Sequence, residues 1–139
     1  MLVRLIYASR AAATISAEAI EAILVTSRQN NADHGITGVL CYTSDVFVQA
    51  IEGGREQVNT LYNRLQRDAR HHDLVLLDYT EIASRRYAAW SMGKLRLDKI
   101  NLSLLLKYSP TAELDPYTMP GPATAALLEE LAATASFCG

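Results

Sequence analysis

The sequence predicts an α+β domain with the element order βαββαβ, followed by a fifth strand and two further helices. Short runs rich in Val, Ile, Tyr and Phe alternate with longer segments in which apolar residues recur every three or four positions. Two of the short runs are separated only by a turn around Ser44 and Asp45, as in a β-hairpin. The length of 139 residues, half of them hydrophobic, suits one domain with a single hydrophobic core.

The first half of the chain provides a strand, a helix and the hairpin. The run LVRLIYAS at residues 2–9 is typical of a strand. Ser16 is suited to cap a helix, which we expect to end near QNNADHG at residues 29–35, because Asn30 and Asn31 tolerate left-handed backbone and Gly35 allows the turn. The apolar stripe of this helix comprises Ile20, Ile23, Leu24 and Ser27. The hairpin strands are expected at residues 36–43 and 46–52.

The second half begins with the clearest helix, REQVNTLYNRLQRDA at residues 55–69. Its apolar residues lie at i, i+3, i+4 and i+7, namely Val58, Leu61, Tyr62 and Leu65. Residues 73–83 are nearly continuously apolar, which predicts an interior strand covered on both faces. We expect the fifth strand at residues 90–97. A leucine-rich helix at 98–107, a proline-punctuated connection and a last helix at 122–135 follow.

This order of elements is that of a ferredoxin-like fold with a mixed sheet. Two right-handed crossovers place the first two helices on one face of the sheet. The first and third strands are expected to be parallel neighbours. The two C-terminal helices would cover the other face, since a sheet exposes apolar side chains on both sides.

Composition argues against several function classes. The net charge of −2 and the pI near 5.9 indicate no basic surface for nucleic acid or anionic lipid. The two cysteines, Cys41 and Cys138, are read as reduced thiols rather than a disulfide. Neither a signal peptide nor an apolar run of membrane-spanning length is recognised, so we expect a cytoplasmic protein with no membrane partner.

No metal or nucleotide motif is recognised. His71 and His72 are adjacent, so they cannot share a helix face as chelating pairs do, and the neighbouring Asp68 and Asp73 need no ion. The stretches GITG and EGGRE lack the spacing of a dinucleotide or P-loop fingerprint. Their glycines are better explained by turns.

Tyr7 and Gln49 form the most informative pair. Gln49 shares a strand face with Phe47 and Ile51, and an unpaired amide buried there would cost about 1–3 kcal/mol. Tyr7 lies on the first strand, beside the third in this topology, so phenol and amide can meet. A purely structural hydrogen bond is the simple explanation. It leaves part of the amide's bonding capacity for a ligand.

Other polar and aromatic residues have ordinary explanations from spacing alone. Arg64 and Asp68 stand four apart and could form a surface ion pair. Asn30 and Asn31 could simply end a helix. Trp90 and Met92 alternate on one face of the predicted fifth strand, where core packing would account for them.

With these residues assembled, the chain resembles the BLUF family of flavin-based blue-light sensors. The resemblance covers about residues 2–96 and rests on the stretches LIYAS, NNADHGITGVLCYTSDVFVQAIEG, RDARHH and WSM. The downstream LLLKYSP and the closing helix resemble the short, single-domain members of that family. The resemblance implies a sensor core at residues 1–97 and a helical extension at 98–139 that packs on the sheet.

The resemblance also implies a non-covalent flavin, FAD, with FMN or riboflavin as substitutes. Tyr7, in a Y-x-S pattern with Ser9, would be the phototransferring phenol, and Gln49 would bridge it to the flavin. The other implied cofactor-binding residues are Ile23, Ser27, Asn30, Asn31, Phe47, Arg64, Leu65, Asp68, Arg70 and His71. Trp90 and Met92 correspond to the family's readout pair, and which of them lies near the flavin stays open. Ala69 stands where the family often has proline, which should loosen the end of the second helix.

A switch rather than an enzyme is therefore expected. Light would drive electron and proton transfer from Tyr7 and leave the Gln49 amide rearranged, by rotation or by tautomerisation. The output would pass to a separate downstream signalling protein, such as a response-regulator-like protein, from a homo-oligomer. Two alternatives are kept: a ferredoxin-like ligand-binding or RNA-binding module without photochemistry, and a flavin-dependent oxidoreductase.

Overall fold

The computed structural model describes residues 1–97 and 100–134. Its strands are β1 (Leu2–Ala11), β2 (Thr37–Tyr42), β3 (Val46–Gly54), β4 (His71–Ile82) and β5 (Gly93–Arg96), and its helices are α1 (Ala17–His34), α2 (Arg55–Leu65), α3 (Leu102–Tyr108) and α4 (Gly121–Thr134). The first two residues of the predicted third helix, Asp98 and Lys99, lie outside the described residues, as do Ala135 and Cys138.

The five strands form one sheet in the order β4-β1-β3-β2-β5, which confirms the predicted fold class. The sheet is mixed because β5 runs parallel to β2, whereas the other neighbours are antiparallel. The expectation of parallel first and third strands is wrong. The crossover through α1 makes β2 parallel to β1, and the hairpin then reverses the chain, so β3 must oppose β1.

Two apolar layers lie on opposite faces of the sheet. We call the face covered by α1 and α2 the cleft face; its buried residues include Leu5, Tyr7, Leu24, Phe47, Ile51, Val58 and Met92. The opposite, or back, face is covered by α4 and the connection before it; its buried residues include Ile6, Val39, Val48, Tyr87 and Leu128. α3 packs against α4. Both faces are thus buried, as expected for a sheet between helical layers.

Local sequence signals explain the ends of α1. The side chain of Ser16 accepts a hydrogen bond of 3.1 Å from the backbone nitrogen of Ala19, as predicted for the N-cap. At the other end Gly35 adopts a left-handed conformation with φ 66°, and its backbone nitrogen bonds the carbonyl of Asn31. None of the helices in the described part of the chain is long and apolar enough to cross a membrane.

Four predicted elements differ from the structure. The third helix begins at Leu102, after the N-cap Asn101, rather than at 98. β4 is an edge strand paired only with β1, and Leu76 and Tyr79 on it are 49% and 38% exposed, so it is not an interior strand. α2 ends at Leu65 rather than at 69, and the chain turns before Asp68. β5 begins at Gly93, so Trp90 and Met92 precede the strand.

Candidate functional site

The centre of the site is a hydrogen bond between two neighbouring strands. Tyr7 on β1 and Gln49 on β3 lie opposite each other in the antiparallel register. The Tyr7 hydroxyl donates to Oε1 of Gln49 at 2.6 Å, and the side chains are 2% and 6% exposed. Burial raises the pKa of the Tyr7 phenol far above its ordinary value, so the phenol is protonated at physiological pH.

The other end of the Gln49 amide has a weak partner. Its Nε2 donates toward the sulfur of Met92 at 3.4 Å. A thioether is a weak acceptor, and a carboxamide nitrogen carries two hydrogens. Gln49 therefore keeps donor capacity for a polar group in the cleft above it.

A cleft opens above this pair, between α1 and α2. It has about 420 Å³ of empty space, part of it open to solvent. Its lining consists of Tyr7, Ile23, Ser27, Leu40, Phe47, Gln49, Leu65, Asp68, Arg70 and His71. Apolar walls with a few convergent polar groups are typical of sites for flat, partly polar ligands.

One end of the cleft is closed by an ion pair after α2. Nε of Arg70 lies 3.0 Å from Oδ1 of Asp68, and Nη2 lies 2.6 Å from Oδ2. The predicted pair between Arg64 and Asp68 is therefore wrong, because Asp68 lies beyond the helix end and faces Arg70 instead. The hydrogen bond from Arg70 holds the pKa of the Asp68 carboxyl below its usual range.

His71, at the same end, is fixed by both ring nitrogens. Nε2 lies 2.6 Å from the carbonyl of Leu65, and Nδ1 lies 2.7 Å from the hydroxyl of Ser9. Since a carbonyl only accepts, Nε2 carries a hydrogen, and a neutral ring accepts at Nδ1 from Ser9. The ring meets Tyr7 edge-on, with centroids 6.1 Å apart.

The cleft continues toward the C-terminal end of α1. Asn30, Asn31 and Arg64 line this continuation together with Gln49 and Leu65. The side chain of Asn31, 3% exposed, donates from Nδ2 to the carbonyl of Ser91 at 3.1 Å. All the cofactor-binding residues expected from the sequence thus border one slot between α1 and α2.

Met92 and Trp90 do not share a face, contrary to the sequence expectation. Met92 is fully buried in the cleft layer, beside Gln49, whereas Trp90 packs in the back layer. The ring of Trp90 lies 5.4 Å from that of Tyr87. The strict alternation of a strand does not apply here, because the backbone bends before β5 begins.

Three contact residues were missed by sequence reasoning. Leu40 lines the cleft and stands opposite Gln49 in the hairpin, so the register of the hairpin could have identified it. Tyr62 packs against Tyr7 with ring centroids 5.5 Å apart. Arg28 donates from Nε to the carbonyl of Met92 at 3.2 Å, and no sequence signal marks that contact. Within the described ranges no group of His, Cys, Asp or Glu side chains could hold a metal ion.

A ferredoxin-like sheet with a buried tyrosine–glutamine pair beneath a two-helix cleft defines the class of the protein as a ligand-binding α+β domain. The family model described as BLUF, sensors of blue-light using FAD, matches residues 2–93. The chain therefore belongs to the BLUF family, and its cofactor is FAD. This match favours the flavin sensor over the RNA-binding and oxidoreductase alternatives.

Individual relatives agree with the family match. Over 92 residues, 66% of this chain, it is 36% identical to the photoactivated adenylate cyclase subunit beta of Euglena longa, and it spans 11% of that protein's length. The photo-activated state of BlsA matches the whole chain and 99% of the BlsA chain, with 27% identity and a TM-score of 0.86. The dark state of BlrB, a BLUF protein, matches 95% of each chain, with 32% identity and a TM-score of 0.77.

The residues of the cleft fit a flavin ring. Ile23, Leu40, Phe47 and Leu65 supply apolar surface for its faces. The Gln49 amide nitrogen, whose partner Met92 is a weak acceptor, can donate a hydrogen bond to the polar edge of the ring. The fit thus rests on the chemistry of these side chains as well as on the family match.

Proposed function

We propose that this chain is a blue-light photoreceptor in which Tyr7 and Gln49 perform the photochemistry and a rearranged hydrogen bond of Gln49 is the signal. The observation that supports this most directly is the buried 2.6 Å bond from the phenol to Oε1 of Gln49, at the floor of the cleft. A phenol and an amide in that arrangement provide an electron donor and a proton path in one contact.

The chain's own residues account for the proton movement. FAD, when bound and excited by blue light, would supply a strong oxidant in the cleft, and Tyr7 would be the residue that gives up an electron to it. Loss of that electron makes the phenol strongly acidic, so its proton moves along the existing bond to Oε1 of Gln49. Protonation of Oε1 would favour either rotation or tautomerisation of the amide. Tyr7 would then regain its electron from the cofactor. Its proton would return from Oε1 if the amide rotates, or would be replaced by the proton that leaves Nε2 if the amide tautomerises. In both cases Gln49 would keep the rearranged form and present a different donor to the cleft.

The free energy of the rearranged Gln49 hydrogen bond is of the size needed to switch between two conformations. One hydrogen bond is worth about 0.5–1.5 kcal/mol in net terms, enough to shift a two-state population several-fold. Met92 contacts the Gln49 amide directly, so we infer that it is the first residue to respond. Trp90, on the back face, would respond through the backbone that joins it to Met92. No turnover of substrate is involved in this scheme.

The polar ends of the cleft would hold the rest of the cofactor. Asn30, Asn31 and Arg64 would bind the polar edge of the ring at one end, and Asp68, Arg70 and His71 the ribityl chain or ring rim at the other. Ser27, Ile23, Phe47 and Leu65 would contact the ring itself. FMN or riboflavin would fill the same ring site, since the lining residues meet the ring and its immediate substituents.

The output is proposed to pass to a separate signalling protein. The Euglena longa relative is named as a photoactivated adenylate cyclase subunit, so a homologous domain there accompanies a cyclase. For this chain we propose a sensor core at residues 1–97 and an extension at 98–139 that relays to the partner. A response-regulator-like partner, a homo-oligomer and a cytoplasmic location remain predictions.

Absorption spectroscopy tests the proposal. The purified protein should be yellow, release FAD on denaturation, and show a red-shifted flavin spectrum after blue light that reverts in the dark. A flavin spectrum that only bleaches would contradict the Tyr7–Gln49 scheme. Colourless protein from cells with ample flavin would contradict the photoreceptor assignment as a whole.

A further inference from the structure

The connection between β4 and β5 passes from one face of the sheet to the other. Tyr87 is 2% exposed and lies in the back layer. Three residues later the carbonyl of Trp90 accepts a hydrogen bond of 3.0 Å from the backbone nitrogen of Gly38 on β2. Met92 then reaches the cleft layer and contacts Gln49. Residues 86–92, which we call the crossing segment, therefore touch both layers.

The start of the crossing segment is held by one buried carboxylate. Glu52 on β3 is fully buried, and its side chain points to the back face. Its Oε2 accepts from the backbone nitrogen of Arg86 at 3.0 Å, and its Oε1 accepts from that of Tyr87 at 2.6 Å. Two consecutive backbone donors thus converge on one side chain, which fixes both the position and the direction of the segment.

Arg4 forms an ion pair with this carboxylate and holds it in place. Its Nε and Nη2 lie 2.9 and 2.7 Å from Oε2 of Glu52, and its side chain is 10% exposed. A buried carboxylate needs a counter-charge and several donors to offset the loss of hydration. With two donors from Arg4 and two from the crossing segment, Glu52 has little freedom to move.

The buried pair of Arg4 and Glu52 lies on the same two strands as the proposed photochemical pair of Tyr7 and Gln49. Arg4 and Glu52 are cross-strand partners on β1 and β3, as are Tyr7 and Gln49 three residues along the same ladder. Side chains three positions apart on a strand point to opposite faces. The crossing segment is therefore bound at Glu52 on the back face and at Gln49 on the cleft face.

We propose that Glu52, held by Arg4, is a positioning residue that fixes the crossing segment, places Met92 against Gln49 and thereby sets how long the rearranged amide persists. The inference rests on the proposed function, because it assigns a control on the same switch. A segment anchored at both ends resists the movement that accompanies amide rearrangement. Releasing the back-face anchor lets the segment follow the amide more easily, so reversion in the dark becomes faster.

Glu52→Gln in the full chain is the test. Glutamine keeps the shape, but its amide nitrogen cannot accept, so the side chain loses either the bond from the Tyr87 nitrogen or the bonds from Arg4 and the Arg86 nitrogen. We expect FAD binding and the red shift to persist, with dark recovery about three- to tenfold faster. We also expect a changed methyl signal of Met92 in NMR spectra of protein labelled at its three methionines. The matched control is Glu81→Gln, which breaks the exposed pair with Arg55 on the edge strand and should change neither readout.

Two further variants and a measurement on flavin-free protein test the proposal if Glu52→Gln does not fold or if the wild type shows no red shift. If Glu52→Gln does not fold because Arg4 is left unpaired, the double variant Arg4→Gln, Glu52→Gln removes both charges and should give the same two changes. Arg4→Lys keeps the charge and should stay close to wild type. Wild-type recovery and an unchanged Met92 signal in a folded variant lacking Glu52 would overturn the proposal. If the wild type shows no red shift, the proposed function is wrong, and the Met92 signal in flavin-free protein still decides whether Glu52 positions that residue.

Discussion

The hydroxyl of Tyr7 donates its hydrogen bond to Oε1 of Gln49, so the two groups proposed to react are already joined before any light is absorbed. We expect Tyr7→Phe to fold, to bind FAD and to lose the reversible red shift. Phenylalanine keeps the ring packing against Tyr62 but has no proton to give, and it is a far poorer electron donor. The lost hydrogen bond costs about 1 kcal/mol of stability. Difference spectra before and after blue light provide the measurement.

Tyr79→Phe is the matched control for that variant. Tyr79 is 38% exposed on the edge strand, and its hydroxyl bonds Asn59 rather than a cleft residue. The control should keep both the red shift and its lifetime. A wild-type red shift in Tyr7→Phe would exclude the phenol from the photochemistry.

We expect Gln49→Leu to bind flavin but to give no persistent red shift, because no amide remains to rearrange. The variant should also be less stable, since the buried Tyr7 hydroxyl loses its acceptor at a cost of about 1–3 kcal/mol. Thermal unfolding and the same difference spectra measure the two effects. Gln29→Leu, at an exposed position of α1, removes an equivalent amide and should leave the photocycle intact. A normal photocycle in Gln49→Leu would contradict the proposed signal.

Alkaline pH should destabilise the protein through Tyr7. Burial raises the pKa of Tyr7 above the value of about 10 that it has in the unfolded chain. The folded state therefore holds one more proton than the unfolded state above pH 10, so this stabilisation is complete below pH 10 and decreases as the pH rises. Each such tyrosine lowers the free energy of unfolding by about 1.4 kcal/mol per pH unit. Tyr87, whose pKa is also raised mainly by burial, adds a second contribution.

Urea denaturation at several pH values between 9 and 11, at constant flavin content, measures this dependence. Between pH 9 and 11 the wild type should lose about 1.4 kcal/mol more stability than Tyr7→Phe, because the full slope is reached only above the unfolded pKa of about 10. Equal slopes would mean that the Tyr7 phenol ionises as readily in the folded protein as in the unfolded chain.

Arg70→Gln should weaken FAD binding about tenfold, which corresponds to the loss of one charged hydrogen bond. Arg70 is held over Asp68 at the cleft end, and without it the Asp68 carboxylate would lose its partner beside the ribityl chain or ring rim. Titration followed by fluorescence gives the affinity, and riboflavin, which shares the ring and the ribityl chain, should lose about as much. Arg67→Gln removes the same charge from an exposed position outside the cleft lining and should leave the affinity unchanged. Equal losses in the two variants would indicate a general charge effect.

The sequence predicted those features of the fold that depend on local signals. Ser16 and Gly35 marked the ends of α1, and the turn after Tyr42 marked the hairpin. The position of β4 could not be predicted in the same way, because apolar content does not show which strands pair. Its apolar side chains contact both layers partially, while one edge of the strand has no neighbour in the sheet.

Some contacts of the candidate site could be predicted from the sequence and others could not, for a similar reason. The contact of Tyr7 with Gln49 was expected from alternation on two strands and from the adjacency of β1 and β3, although the two strands are antiparallel rather than parallel. The separation of Trp90 from Met92 could not be predicted from the sequence. Both residues lie in the crossing segment, where the backbone bends and side chains do not alternate between faces as they do in a strand. Glu52 also escaped notice, since a glutamate at a strand end is normally solvated and its partners lie 34 and 35 residues away in the chain.

Trp90 and Met92 lie on opposite faces of the sheet, so we expect substitution of Met92 to change dark recovery more than substitution of Trp90. Met92 contacts the Gln49 amide, whereas Trp90 packs against Tyr87 on the back face. We expect Met92→Leu, which keeps the apolar volume but removes the sulfur, to change the dark recovery rate about threefold or more. Trp90→Phe should change it by less than about twofold and leave the red shift in place.

Recovery of the dark spectrum after a blue-light pulse measures this ranking, and Trp90 is the sole tryptophan, so its fluorescence adds an independent probe. Because its ring lies in the back layer, across the sheet from the cleft, a light-induced shift in its emission wavelength reports movement of the crossing segment, whereas a change in intensity alone also follows from altered energy transfer to the flavin. Met92→Leu should therefore alter the rate of the fluorescence change together with the rate of spectral recovery. If Trp90→Phe had the larger effect on recovery, the tryptophan, and not the methionine, would be the neighbour of the flavin, and the structure's placement of the two side chains would be contradicted.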